Sequence, residues 1–163
     1  MRRRKVAQTT REARGQVAPD FTLKDGDGND WRLSDRRGRV VVMLFYPGDE
    51  TPICTRQMCS VRDRWDDYVA AGAEVVGIST DSTESHRAFA EHHSLPLRLL
   101  SDPEGAVAKL YGAKSWLPGR TARAVVVVDA EGRVRHNKAQ PLSLFRPKDD
   151  DVLAAIRSAS PGT

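Results

Sequence analysis

Only two cysteines occur in the 163 residues, Cys54 and Cys59, too few for a disulfide-stapled scaffold. Their Cys-x₄-Cys spacing is not a usual zinc pattern, and no second pair exists to complete one. Histidines are also scarce. His86, His92, His93 and His136 show no compact ligand pattern. His86 and His93, seven apart, can share a helix face, where packing or exposure is the expected role. No metal is therefore expected. Gly-x-Gly-x-x-Gly and P-loop patterns are absent, so nothing speaks for a bound nucleotide or other cofactor. No stretch approaches membrane-spanning length, so no membrane partner is expected. The basic start Met1-Arg2-Arg3-Arg4-Lys5 is not followed by an apolar h-region. It does not read as a secretory signal, and the expected compartment is cytoplasmic. No internal repeat is visible.

What is present begins with charge. Lysine and arginine total 26 against 22 aspartates and glutamates, a net charge of +4. Much of the excess sits in the first residues, with Arg11 and Arg14 following. Residues 1–14 read as a basic, disordered tail. The other charges are mixed in sign, which argues against a nucleic-acid partner. Residues 15–158 read as a single domain, long enough for a real core, and 159–163 as a C-terminal tail.

The chain is organised around Phe45 to Trp65. Val40 to Tyr46 is a continuous apolar run, the pattern of a strand buried on both faces. Pro47-Gly48-Asp49-Glu50 is turn chemistry. Thr51 is a good N-cap and Pro52 a good first helical residue, which makes Cys54 the third. Unpaired N–H groups and the dipole at a helix start favour thiolate over thiol. In an intact α-helix, residues five apart have Cα atoms roughly 8–9 Å apart, whereas a disulfide needs about 7 Å or less. Cys54 and Cys59 therefore either never bridge, or bridge only when the first turn unwinds.

Around this centre, strands alternate with helices. Phe21 to Leu23 and Trp31 to Leu33 flank Asp25-Gly26-Asp27-Gly28-Asn29 and predict a hairpin. A helix from Pro52 to near Gly72 follows, its inner face carrying Cys54, Met58, Val61, Trp65, Tyr68 and Val69. Glu74–Ser79 is a strand. Asp81-x-x-Glu84 has the form of a capping box, opening a helix with Phe89 and Ala90 inward. Leu97–Leu100 is a short strand. Asp102-Pro103 opens a helix through Val107, Leu110 and Tyr111. Ala124–Val128 is a buried strand turning at Ala130-Glu131-Gly132 into Arg133–His136. Asp149 or Asp150 caps a last helix through Val152, Leu153 and Ile156. The sum is an α/β fold, a mixed central sheet with helices on both faces and an N-terminal β-hairpin.

Pro47-x-x-x-Thr51-x-x-Cys54 resembles the active-site motif of the peroxiredoxins. A second cysteine five residues on is similar to the bacterioferritin-comigratory, or Q-type, subgroup. Ala18-Pro19-Asp20-Phe21-Thr22-Leu23 resembles the family's opening strand, and Arg123 to Asp129 its late arginine-bearing strand. The likeness spans roughly Gln16 to Ile156. It implies a thioredoxin-like fold and a thiol-dependent, antioxidant peroxidase acting on hydrogen peroxide and organic hydroperoxides. Cys54 would be the peroxidatic nucleophile, oxidised to a sulfenic acid. Cys59 would resolve it as an intramolecular disulfide, which a thioredoxin-like or glutaredoxin-like partner would reopen. Thr51 would reach sulfur or peroxide, Pro47 would shape the pocket wall, and Arg123 would stabilise charge in the reaction. Arg120 is also a strand-entry arginine, but the spacing to Asp129 selects Arg123. The subgroup implies a monomer.

The alternatives are a disulfide oxidoreductase, which typically uses Cys-x-x-Cys, a peroxide sensor passing oxidation to a partner protein, and two buried, inert cysteines. Three features depart from the subgroup: Ile53 where glycine is frequent, Ala124-Val125 after the arginine, and the loop Gln140 to Pro147 with Phe145, which has no assigned role.

Overall fold

The computed structural model describes residues 15–115, 120–140 and 147–160. The expected basic tail and Phe145 with most of its loop lie outside the described residues. The predicted hairpin is β1 (Thr22–Asp25) and β2 (Asp30–Arg32), in antiparallel register with Leu23 opposite Trp31. Asp25 closes its turn by accepting from the amides of Asp27 and Asn29, each at 3.0 Å. A single 3₁₀ turn over Leu33–Arg36 leads to β3 (Val40–Phe45), whose residues are all buried. Then come α1 (Pro52–Asp63), α2 (Trp65–Ala70), β4 (Ala73–Ser79), α3 (Thr83–His93), β5 (Arg98–Ser101), α4 (Ala106–Leu110), β6 (Arg123–Val128), β7 (Val134–Gln140) and α5 (Asp149–Ala159).

The seven strands form one mixed sheet in the order β2-β1-β5-β4-β3-β6-β7. β3 lies inside it, parallel to β4 and antiparallel to β6. That position explains the unbroken apolar run, because both sides of the strand are covered. One side packs Val41, Met43, Phe45, Val126 and Ile78 against Phe21, Trp31 and Tyr111. The other packs Val42, Leu44, Val125 and Val127 against Met58, Tyr68, Phe89, Leu153 and Ile156, from α1, α2, α3 and α5. Side chains alternate along a strand, so Arg123 shares the side of Val125 and Val127 and points toward α1.

Several boundaries differ from the sequence expectations. The helix expected from Pro52 to Gly72 breaks at Arg64, whose φ of −110° and ψ of 22° divide α1 from α2. Gly72 does follow the end of α2 in a left-handed conformation, φ +75°, as a helix stop requires. Val69 is largely exposed, at 57%. The cap of α3 is Ser82, whose hydroxyl accepts from the Ser85 amide at 3.1 Å; Asp81 faces the active-site turn instead. Asp102 reaches the start of α4 across a turn and accepts from the amides of Val107 and Ala108, while Gly105 occupies the cap position and Leu110 is exposed. Asp149 does not cap α5, because its carboxylate accepts from Tyr68 and Ser60. α5 includes Ala159, which is buried. Ala159, expected in the tail, is thus part of the last helix.

Candidate active site

The β3–α1 connection brings the predicted site residues to one place. Thr51 holds the N-cap position in extended conformation, φ −73° and ψ 147°, and Pro52 opens the helix. Its hydroxyl, however, donates to the Gly48 carbonyl at 2.9 Å and caps no helical amide. A missing side-chain cap costs about 1 kcal/mol. Burying Met58 and Val61 on the inner face contributes about 1.5–3 kcal/mol each. Packing therefore contributes more to α1 than capping does, while Pro52 at its first position marks where it begins. Pro47 lies half-buried in the same turn.

Cys54 sits in the first turn of α1 with its side chain fully buried. Arg123 is also buried, and its Nη2 donates to Cys54 Sγ at 3.3 Å. A buried guanidinium and the start of a helix thus converge on one sulfur. Arg120 is exposed, and its Nη1 lies over the turn, 3.0 Å from where a Cβ on Gly48 would stand. Of the two arginines, Arg123 is the one that touches the Cys54 sulfur. Cys59 lies in the same unbroken helix, half-buried, with a free thiol like that of Cys54. A cleft of about 360 Å³ lies against Arg123, with Lys138 and Lys148 in its lining.

Sequence reasoning missed Gln57. It is one helical turn beyond Cys54 and buried at 2% exposure. Its Oε1 accepts from Arg123 Nη1, so it holds the same guanidinium that meets the sulfur. The available signal was a polar residue on a helix face otherwise read as apolar.

Reasoning from sequence also missed the support behind the turn. Asp49 and His86 have side chains 2% and 0% exposed, with His86 Nδ1 2.8 Å from Asp49 Oδ2. His86 Nε2 donates to the Leu100 carbonyl at 3.0 Å. Tyr46 donates to Asp49 Oδ1 at 2.6 Å, and Ser85 to Asp49 Oδ2 at 2.8 Å. Burial first, then the Asp49 carboxylate, push the Tyr46 hydroxyl well above its ordinary range, so it remains a neutral donor. Asp81 accepts from the Asp49 amide at 2.8 Å. The turn before α1 is thereby tied to β4, α3 and β5.

The sequence showed no compact ligand pattern among the histidines, but the fold brings three of the four beside carboxylates. Asp49, Asp81 and His86 bring ligand-type atoms within 4.8 Å of one another, as do Glu50, His92 and His93. In the first group His86 is buried and both aspartates are partly buried, and all three are engaged in the bonds just described. The second lies at the surface of the turn. Glu50 has φ +61°, a left-handed conformation that costs a non-glycine residue about 1–2 kcal/mol. Hydrogen bonds from His92, then His93, hold its carboxyl below the ordinary range.

Residues 14–137 match the AhpC/TSA family model. The chain belongs to the peroxiredoxins of the AhpC/TSA family. It is 46% identical over 147 residues to peroxiredoxin Q, chloroplastic, of Triticum aestivum, covering 85% of this chain and 68% of that protein. Identity to peroxiredoxin Q, chloroplastic, of Sedum lineare is 46% over 142 residues, covering 85% and 76%. Among solved structures, peroxidoxin BcpB from Mycobacterium tuberculosis superposes with a TM-score of 0.78 at 33% identity, covering 89% of this chain and 96% of that one. The reduced 2-Cys peroxiredoxin of Plasmodium vivax gives 0.80 at 26% identity, covering 88% and 80%. The thioredoxin-like fold expected from the motif is the fold of these neighbours. With the family goes its activity: this peroxiredoxin is a thiol-dependent peroxidase. No helix among the described residues is long and apolar enough to cross a membrane.

Proposed function

We propose that Cys54 is the peroxidatic nucleophile, Cys59 the resolving thiol, and a thioredoxin-like or glutaredoxin-like protein the reductant, in a monomeric enzyme reducing hydrogen peroxide and organic hydroperoxides. One observation carries the reading: the buried Arg123 guanidinium donates to Cys54 Sγ at the first turn of a helix. In the first step the Cys54 thiolate attacks the terminal oxygen of the hydroperoxide. The S–O bond forms as the O–O bond breaks. The leaving alkoxide or hydroxide takes a proton, and Cys54 becomes a sulfenic acid. The first-turn amides of Ile53 and Cys54 hold a peroxide oxygen, Pro52 supplying none. Arg123 stabilises the charge passing from sulfur to the leaving oxygen. Pro47 walls the site. Thr51, which donates to Gly48, offers its hydroxyl oxygen as an acceptor toward the peroxide.

In the second step the Cys59 thiolate attacks the sulfenic sulfur, forming the S–S bond as the S–O bond breaks, and the leaving hydroxide takes a proton to become water. Both cysteines lie in α1, so this step requires its first turn to unwind. Thiol–disulfide exchange with a dithiol partner then restores both thiols.

The test is intact mass and thiol count after one equivalent of hydrogen peroxide. The wild-type chain loses two hydrogens and both thiols. Cys59→Ser consumes one equivalent, gains oxygen on Cys54 and stalls. Cys54→Ser does not react. Multiple turnovers by Cys54→Ser would overturn the assignment.

A further inference from the structure

The geometry points to a metal site outside the thiol chemistry: we propose that Glu50, His92 and His93 bind one divalent cation of the Zn²⁺ class and thereby tether the active-site turn to the end of α3. His92 Nδ1 lies 2.9 Å from Glu50 Oε1, and His93 Nε2 lies 3.2 Å from Glu50 Oε2. Neighbouring ligands around a tetrahedral Zn²⁺ with bonds of about 2.0–2.2 Å stand roughly 3.3–3.5 Å apart. The observed N···O separations are hydrogen-bond lengths a few tenths of an ångström shorter, and the three ligand atoms all lie within 4.8 Å of one another, so small side-chain shifts suffice to admit the ion. Two imidazoles and a carboxylate are a donor set that Zn²⁺ favours, leaving the fourth position to water.

Of the three, His93 is held in place by its neighbours. The His93 ring packs edge-on against the buried Phe89, with centroids 5.2 Å apart, and is itself only 19% exposed. Arg62 donates to the His93 carbonyl at 2.6 Å, fixing that end of α3. Glu50 keeps a left-handed backbone that aims its carboxylate at both rings. Glu50 adjoins Thr51, the residue before α1, whereas His92 and His93 end α3. A bound ion would therefore replace the hydrogen bonds between Glu50 and the two rings with coordination bonds across the same junction. Any effect on turnover rests on the reading that the first turn of α1 unwinds; the site itself does not.

The experiment uses the full chain carrying Cys54→Ser and Cys59→Ser, so that no thiolate competes for metal. Zn²⁺ is titrated calorimetrically, with Co²⁺ as a spectroscopic probe. One equivalent of Zn²⁺ should bind, and Co²⁺ should show four- or five-coordinate bands without sulfur charge transfer. Adding Glu50→Gln or His92→Ala should weaken binding by at least about tenfold, a loss that changes in the outer shell alone produce at metal sites. His136→Ala should leave it unchanged. Glu50 and His92 are 49% and 68% exposed, so these variants should fold like the parent by circular dichroism. Absence of binding to the parent, or equal binding by Glu50→Gln and His92→Ala, overturns the site. Zn²⁺ should also slow amide exchange over residues 48–55 in the parent and not in His92→Ala. Unchanged exchange in a Zn²⁺-loaded parent overturns the tether.

Discussion

Arg123 meets Cys54 through one nitrogen and Gln57 through another. A planar guanidinium can hold this fork, while an ammonium supplies one point of charge. Arg123→Ala should therefore slow peroxide oxidation of Cys54 by about 10²–10³-fold, the usual loss when one preorganised donor to a transition state is removed. It should also destabilise the fold by about 1–3 kcal/mol, because the Gln57 carbonyl is left buried and unpaired. Arg123→Lys should fall between the two. Stopped-flow oxidation of chains shown to be folded separates rate from stability, and a wild-type rate for Arg123→Ala would remove the arginine from the chemistry. At this scale the sequence pointed to the candidate groups that meet at the start of α1 and hid their supports. Cys54, Thr51 and Arg123 sit in local patterns of fixed spacing. The Gln57–Arg123 and Asp49–His86 contacts join residues 66 and 37 positions apart, and no periodicity in one chain records which buried polar groups will face each other.

Among the elements, β3 and the start of α1 were legible because an unbroken apolar run and a proline after a cap-type residue have few other solutions. The break at Arg64 was not, because the apolar spacing continues across it and only the packing of Tyr68 and Ser60 onto Asp149 of α5 shows the change of direction. The mis-set cap of α3 has a similar origin. Asp81 and Ser82 are both good caps, and Asp81 is taken by the Asp49 amide and the Ser79 hydroxyl. These contacts make the turn before α1 depend on α3. His86→Leu should accordingly cost at least about 2–3 kcal/mol, since it strips a donor from the buried Asp49 carboxylate and another from the Leu100 carbonyl. Urea unfolding measures it, and a loss below 1 kcal/mol would mean the contacts are replaceable. Close packing makes a second prediction. A Cβ on Gly77 of β4 would stand 2.8 Å from Leu99 Cδ2 and 3.1 Å from Tyr46 Cε1. Gly77→Ala should destabilise by about 1–3 kcal/mol through overpacking beneath α1; an unchanged or higher stability would show that Leu99 and Tyr46 yield freely.

Over the whole molecule, several carboxyls are held below their ordinary range, and they set how the fold responds to acid. Asp20 and Asp150 are among them, but they lie at the surface, where solvent and salt screen such contributions. Asp129 is buried, at 7% exposure, in the turn joining β6 to β7. Burial raises its pKa, but hydrogen bonds from the Arg133 amide, the Arg135 guanidinium and the Glu131 amide outweigh that and hold it low. A carboxyl whose folded pKa lies below its unfolded value binds fewer protons when folded. Its stabilisation is complete above the unfolded value, about 3.9 for aspartate, and is lost as pH falls through the folded one. At neutral pH, Asp129→Asn should be less stable than the wild type by about 1–2 kcal/mol, the value of charge-assisted hydrogen bonds that an amide oxygen cannot match. Between about pH 4 and 2 the difference should shrink, because the wild type loses the same charge by protonation. Urea unfolding of both chains at neutral pH and across that acid range tests the sign as well as the size. A gap that stays constant down to about pH 2 would mean that the Asp129 turn is held by shape and not by charge.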